Sequence, residues 1–366
     1  MIPHFGLVRQ YANLREELLD ASDRALRTGC LVEGPFTDLF EKWLREKTGA
    51  MFAVTCHSGT QALEIIARHK AELFNRALNG TVFGAAAPTI QVPNLTYPAT
   101  MNALINAGWD VELIDTDRNG IGLSPETVLF PGRSECIVGL YGALPNSTNP
   151  NWSENAAIVD GAQHWLVAKG HIGYGMAISF DPTKNLPSSG NGGAIVTDNQ
   201  NLHDYAVNYK NNAKLSNHRT SGTNSKMSEQ DCAQILVRTK YIDLWQERRA
   251  AIANHWCEAF AHLEYGSPSL RCLSAGISKH AHQKFVIYTE DRVALGAYLA
   301  GKGIDCKIHY PYALSELPVA KNFRKPDMLS TSVMLSRGVL SLPIYPELSD
   351  TEVEHIAAAV KAFFTR

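Results

Sequence analysis

No stretch of this 366-residue chain is apolar for long enough to span a bilayer, which takes about 18 residues. The opening MIPHFGLVRQYANLREELLDA has neither the apolar centre nor the A-x-A site of a secretory leader. An excess of one charge is also missing. The chain carries 34 Lys and Arg against 36 Asp and Glu, a net charge of −2, and no long block of like charge. That balance argues against a nucleic-acid footprint or a polybasic membrane surface, so neither partner is expected. The seven cysteines are odd in number and widely spaced, with no C-x-x-C pair. They read as reduced thiols of a cytoplasmic protein. None of the 13 histidines forms H-E-x-x-H, and the close pair His280 and His282 has no cysteine or carboxylate grouped with it. No metal site is expected.

What the chain does have is apolar content, 45% of residues against 19% charged, enough for a substantial core. Its length suits two domains. Residues 8–28 and 35–47 have helical spacing, with Gly29 as a stop. Short apolar strands then alternate with helices. Strands are expected at 52–55, 90–93, 111–115, 136–140, 156–160, 176–180 and 194–197, with helices at 61–74 and 99–106. This alternation predicts an α/β fold with a mostly parallel, helix-covered sheet. A long helical pattern over 228–262 follows. Strands at 284–289, 304–308 and 339–342 and helices at 291–301 and 350–364 come after it, a smaller α+β unit. The boundary is placed near residue 245, giving a large domain over 1–245 and a small C-terminal domain over 246–366. Residues 75–88 read as an inserted surface loop.

Three segments could carry chemistry. Cys56-His57-Ser58-Gly59-Thr60 follows a strand and opens a helix, where free N–H groups, a glycine and two hydroxyls suit a phosphate. An ordinary helix cap explains the same residues. Asp160 ends a buried strand, the place where open α/β sheets bind ligands, and could hold a cationic ring nitrogen or cap the next turn. Lys184 follows a strand and a proline turn among hydroxyls, and a lysine amine can form a Schiff base with a carbonyl cofactor. A solvated lysine is the plain alternative. An anion cradle, a strand-end carboxylate and a strand-end lysine together are the set that pyridoxal phosphate chemistry needs. Tyr97, after another strand, could add an aromatic face.

These segments resemble the DegT/DnrJ/EryC1/StrS sugar aminotransferase family of pyridoxal-phosphate fold type I, over nearly the whole chain. Gly34–Glu41 is similar to its G-P-x-x-x-x-F-E, Ser58–Leu63 to S-G-T-x-A-L, and Pro93–Thr100 to P-x-L-T-[FWY]-x-A-T. Asp160–Gln163 is similar to D-A-A-Q, with Gly161 for the first Ala. Ser179–Leu186 matches S-F-x-P-T-K-N-L throughout. Gly222–Glu229 is similar to G-x-N-x-R-M-S-E, with Lys226 for Arg. His309–Pro311 and Leu340–Asp350 match H-Y-P and L-S-L-P-x-Y-P-E-L-[ST]-D.

The resemblance implies a fold type I enzyme of the transaminase class. Such an enzyme moves an amino group from L-glutamate to a keto group of a nucleotide-linked deoxysugar, through pyridoxal and pyridoxamine 5'-phosphate. Amination of a keto-cyclitol, or a cofactor-binding regulator without turnover, are the alternatives. By resemblance, Lys184 is the Schiff-base lysine and proton shuttle, Asp160 the pyridinium partner, Gln163 a neighbour of the ring hydroxyl and Tyr97 the stacking aromatic. Ser58, Gly59, Thr60 and Ser179 bind phosphate. Asn224 reaches the phosphate of a neighbouring subunit, which implies a homodimer with shared sites. Lys226, His309 and Tyr310 are implied in substrate binding. The departures are Lys226, Asp231 for Gln, Ser315 for a second His, Asn191 for Glu, a shortened Leu140–Asn151 segment with Asn146, and the insertion at 75–88. They bear on substrate identity. The lysine argues against the family's dehydratases, which replace it with histidine.

Overall fold

Strands buried along nearly their whole length and helical stripes of apolar residues build two cores on either side of one sheet. The structure, a computed structural model, describes every residue except 79–86, 125–133, 146–156, 265–268, 327 and 366. The helices are α1 (Leu7–Arg27), α2 (Pro35–Thr48), α3 (Gly59–Leu78), α4 (Pro98–Asn106), α5 (Gln200–Tyr209), α6 (Glu229–Thr239), α7 (Ile242–Phe260), α8 (Arg292–Gly301), α9 (Ser330–Gly338) and α10 (Asp350–Phe364). The strands of the large sheet are β1 (Phe52–Cys56), β2 (Thr89–Pro93), β3 (Asp110–Ile114), β4 (Ser134–Val138), β5 (Ile158–Asp160), β6 (Gly175–Ser179) and β7 (Gly193–Thr197). They lie in the order β1-β7-β6-β5-β4-β2-β3. Only β7 runs against its neighbours; the other pairings are parallel.

Alternate strand residues face opposite layers. Ile158, Ala177 and Ile195 join Leu63, Ile65 and Ile66 of α3 and Leu104 of α4 in one core. Val159, Met176, Ile178 and Val196 join Leu14 and Leu18 of α1, Phe40 and Leu44 of α2 and Ile235 of α6 in the other. A sheet covered on both faces is what the near-continuous apolar strands require. A third core surrounds a three-stranded antiparallel sheet of β8 (Arg271–Cys272), β9 (Phe285–Tyr288) and β10 (Val339–Leu342), under α7, α8 and α10. Ile2 completes it, its backbone bridging Ile304.

Several expectations need correction. The helix expected over 228–262 is two helices, α6 and α7. Its break at Lys240–Tyr241 is a tight turn with Lys240 N–H donating to Val237 O and Tyr241 N–H to Arg238 O. Both side chains reach Glu17 of α1, at 2.8 and 2.5 Å. Residues 304–308 form only isolated bridges, Ile304 with Ile2 and Lys307 with Ser341. The loop expected from residue 75 begins later, because α3 runs to Leu78; its residues 79–86 and Asn146 lie outside the described residues. Helices α5 and α9 were not anticipated. All seven cysteines are free thiols, and no helix among the described residues is long and apolar enough to cross a membrane.

One buried carboxylate organises the entry to the sheet. Glu229 has no exposed surface and accepts from the N–H groups of Gly34, Phe36 and Thr37, at 2.9, 2.8 and 2.9 Å, and from the Thr37 hydroxyl. It therefore caps α2 from 195 residues away. A Cβ on Gly34 would lie 3.0 Å from its carboxyl carbon, which accounts for the glycine. Replacing Glu229 with Ala strands three buried donors. The variant should lose about 3 kcal/mol of unfolding free energy, read as a lowered urea midpoint at unchanged slope.

Candidate active site

The pairing register brings the chemical residues to one edge of the sheet. Gly193, the first residue of β7, pairs with both Cys56, the last of β1, and Ser179, the last of β6. Asp160 ends β5, the central strand, and pairs with Val138 at the end of β4. These ends line a cavity of about 400 Å³. It gathers Ser58, Gly59, Thr60, Tyr97, Asp160, Gln163, Ser179, Lys184, His309 and Tyr310, ten of the residues singled out from the sequence. Asn224 and Lys226 are not in its wall. Asn224 is exposed and its backbone bridges Asn211, while Lys226 donates to Asn211 Oδ1 at 3.0 Å.

At the β1–α3 turn the backbones close in on one another. A Cβ on Gly193 would lie 2.2 Å from the Ser58 carbonyl carbon, and one on Gly59 would lie 2.6 Å from Ser179 Cβ. Ser58 Oγ accepts from Gln61 N–H at 3.2 Å, so the helix-cap reading is realised too. The N–H groups of Gly59 and Thr60 open α3 and have no intrahelical acceptor. With the Ser58, Thr60 and Ser179 hydroxyls beside them they form an anion cradle.

Asp160 is held from two sides. Thr100 Oγ1 of α4 donates to Oδ2 at 2.7 Å and Ala162 N–H to Oδ1 at 3.1 Å. Lys184 follows β6 through a turn closed by its own N–H donating to Asp181 O at 2.9 Å and by Thr183 N–H donating to Asp181 Oδ1 at 2.9 Å. Burial pushes the Lys184 ammonium below the usual lysine range, while Asp160 and Asp181 pull it back up. Gln163 Oε1 accepts from Tyr141 N–H at 2.6 Å, and its Nε2 donates to the Tyr310 hydroxyl at 3.2 Å. Tyr141 in turn donates to His309 O at 2.7 Å. The Tyr97 and Tyr310 rings sit 5.5 Å apart, Tyr97 more than half exposed. His309 is driven down to about 2 by burial first and then by Lys284, His4 and Lys184, so its imidazole is neutral.

Sequence reasoning passes over Asp181, Phe5 and Lys284 in the wall, and Thr100 behind it. Asp181 lies inside the lysine motif, which is a local signal for it. Thr100 ends the Pro93–Thr100 motif and acts on the site through Asp160. Phe5 and Lys284 come from the distant N-terminus and from the start of β9, and no local signal marks them. Gln283 Nε2 donates to Thr183 O at 2.8 Å, tying that start to the lysine turn.

The donor set suits pyridoxal phosphate. A cradle that two side chains at Gly59 and Gly193 would fill, a strand-end carboxylate and an amine of lowered proton affinity share one cavity, and they fit the group. Three comparisons bear on the site. The chain matches the DegT/DnrJ/EryC1/StrS aminotransferase family over residues 12–129 and 155–361. It is 30% identical over 383 residues to a dTDP-3-amino-3,4,6-trideoxy-alpha-D-glucose transaminase of Streptomyces venezuelae, covering 100% of this chain and 97% of that protein. It is 28% identical over 383 residues to the erythromycin biosynthesis sensory transduction protein EryC1 of Saccharopolyspora erythraea, covering 99% of each. Among solved structures it superposes on S. venezuelae DesV in complex with a ketimine intermediate with a TM-score of 0.87 at 27% identity, over 100% of this chain and 99% of that one.

The close approach at the cradle sets an expectation. Gly193→Ala forces the Ser58 backbone away. It should weaken binding of pyridoxal 5'-phosphate by about tenfold or more, read by fluorescence titration of the cofactor-free protein. An unchanged affinity would separate the cradle from the cofactor.

Proposed function

Because the chain belongs to the DegT/DnrJ/EryC1/StrS aminotransferase family, we propose that it moves an amino group from L-glutamate to a keto group of a nucleotide-linked deoxysugar. Its cofactor on this reading is pyridoxal 5'-phosphate, cycling through pyridoxamine 5'-phosphate. The observation that carries the reading is the convergence of Lys184, Asp160 and the Ser58–Thr60 turn on one cavity. The dTDP-sugar transaminase name of a full-length relative supports the substrate class.

When bound, the cofactor supplies an aldehyde for an amine and a ring that accepts the electron pair of a broken C–H bond. The remaining work falls to the chain. Gly59 and Thr60 N–H groups with the Ser58, Thr60 and Ser179 hydroxyls would bind the phosphate. Asp160, oriented by Thr100, would keep a ring nitrogen protonated. Tyr97 would cover a ring face, and Gln163 would sit at the ring hydroxyl. Lys184, its proton affinity lowered by burial, would be the group that takes a proton from the donor carbon and returns it. A carboxylate and an amine kept ready in this way favour turnover over a regulator that only holds the cofactor.

The proposal extends to assembly. Asn224 and Lys226 lie away from their own subunit's cavity, which suits donation to a partner's site across a two-fold interface. The division at residue 245 is supported by the cores, since Trp245 belongs to the second and Ile252 to the third.

Borohydride reduction of cofactor-loaded protein should add the reduced cofactor mass to the peptide carrying Lys184. Lys184→Ala should carry no adduct and release no 2-oxoglutarate from L-glutamate with any nucleotide keto sugar. An adduct on another lysine would overturn the assignment. Asn224→Asp would set a carboxylate against the phosphate and weaken loading. Mixing it with Lys184→Ala subunits should recover part of the activity, because one site of the mixed dimer then has both intact residues. Heterodimers that form without any recovery would place Asn224 in its own subunit's site.

A further inference from the structure

Lys184 is not the only amine in the cavity. Lys284 immediately precedes β9, is 5% exposed and lines the same wall, where its ammonium lies 4.2 Å from the centre of the Phe5 ring. A second, smaller void behind the lysine turn is also lined by both lysines. Among the described residues no carboxylate lies within ion-pair distance of Lys284. The charged groups around it are mostly of its own sign: Lys184 and Arg249 repel it, while Asp181 alone attracts it. Burial is the largest influence and holds its pKa well below the usual lysine value. His4 and His309, its other titratable neighbours, are both kept neutral, in part by Lys284 itself. A nine-tenths buried amine in a reaction cavity with no anion of its own is a site for one.

We propose that Lys284 holds the α-carboxylate of the amino donor and so delivers the donor's amine beside Lys184. This rests on the aminotransferase reading above. That reading needs three anionic groups in the cavity: the cofactor phosphate, the donor α-carboxylate and the donor side-chain carboxylate. The phosphate has the cradle at Ser58–Thr60. The donor amine has to meet the place that Lys184 serves, and its α-carboxylate is one carbon removed from the carbon bearing that amine. A cation next to Lys184 is therefore matched to the α-carboxylate, not to the far end of the donor. A keto sugar carries neutral hydroxyls next to its reacting carbon and makes no such demand. The Phe5 ring leaves the ammonium a face contact but no acceptor oxygen, so the donor supplies the oxygen.

The test uses cofactor-loaded protein and 2-methyl-L-glutamate, which keeps both carboxylates but has no α-hydrogen to lose. Titration calorimetry on Lys284→Met and Lys284→Gln should show its Kd raised by about tenfold or more, with Lys284→Arg recovering most of the loss. 4-Aminobutanoate, which lacks the α-carboxylate, should bind wild type and variants alike. Affinity for pyridoxal 5'-phosphate and for thymidine diphosphate should stay within about twofold, which a merely structural role would not predict. Equal Kd values for 2-methyl-L-glutamate in wild type and Lys284→Met would overturn the inference and leave the aminotransferase reading standing. A loss confined to thymidine diphosphate or to the cofactor would also overturn it. Wild-type protein that loads no cofactor would sink both.

Discussion

The site depends on three strand ends meeting with nothing between them. Gly193 pairs with Cys56 on one side and Ser179 on the other, and neither it nor Gly59 has room for a Cβ. The first turn of α3 therefore sits against the end of β6, and its free N–H groups share one spot with the Ser179 hydroxyl. Asp160 ends β5, the next strand beyond β6, where it pairs with Ala177, two residues before Ser179. An anion cradle and a carboxylate held by one hydrogen-bonded ladder do not drift. Lys184 hangs from the same ladder, one tight turn beyond Ser179. The sheet thus sets the separations, and the side chains supply only the chemistry.

Charge then decides which group does what. Two amines and two carboxylates, Lys184, Lys284, Asp160 and Asp181, line one cavity. Both amines are pulled toward the neutral form by burial, but not equally. Lys184 feels both carboxylates, whereas Lys284 feels Asp181 and is opposed by Lys184 and Arg249. The imbalance leaves Lys184 in the field of two carboxylates and Lys284 in the field of one. The histidines add no charge, since burial and then Lys284 keep His309 and His4 neutral. The cavity thereby has carboxylates toward β5 and β6 and, toward β9, an amine without an ion-pair partner among the described residues.

Most of this was legible in the sequence where the signal is local. The strands that end at Cys56, Asp160 and Ser179 show as apolar runs followed by Gly, Ser or Pro, and the residues just past them are the ones that line the cavity. The pattern was misleading where tertiary contacts override it. Lys240 and Tyr241 look helical, yet their bonds to Glu17 turn the chain there. Residues 304–308 alternate like a strand, but their two neighbours reach them by single bridges from the N-terminus and from β10. Phe5 and Lys284 stayed hidden for another reason. Each is unremarkable in its own segment and gains meaning only from where the chain brings it, over the Lys184 turn.

A motif residue is not thereby a site residue, and this chain separates the two kinds. Of the motif Gly34–Glu41, no member reaches the cavity. Gly34 leaves space for Glu229, which caps α2, while Glu41 accepts from the Thr55 N–H at 2.7 Å and the Thr55 hydroxyl at 2.8 Å. The buried Lys210 stands 3.8 Å from Glu41 and donates to Thr55 O at 3.2 Å. Helix α2 is thus clamped at its start by a residue of α6, and its middle is fastened to Thr55 near the end of β1. His57 N–H donates to Ser225 O at 2.9 Å, which fixes the next residue as well. The bonds to Thr55 and His57 end within three residues of Ser58. Two motifs outside the cavity wall thus hold still the backbone on which the cradle is built, and a change in either would be felt first as a cradle out of place.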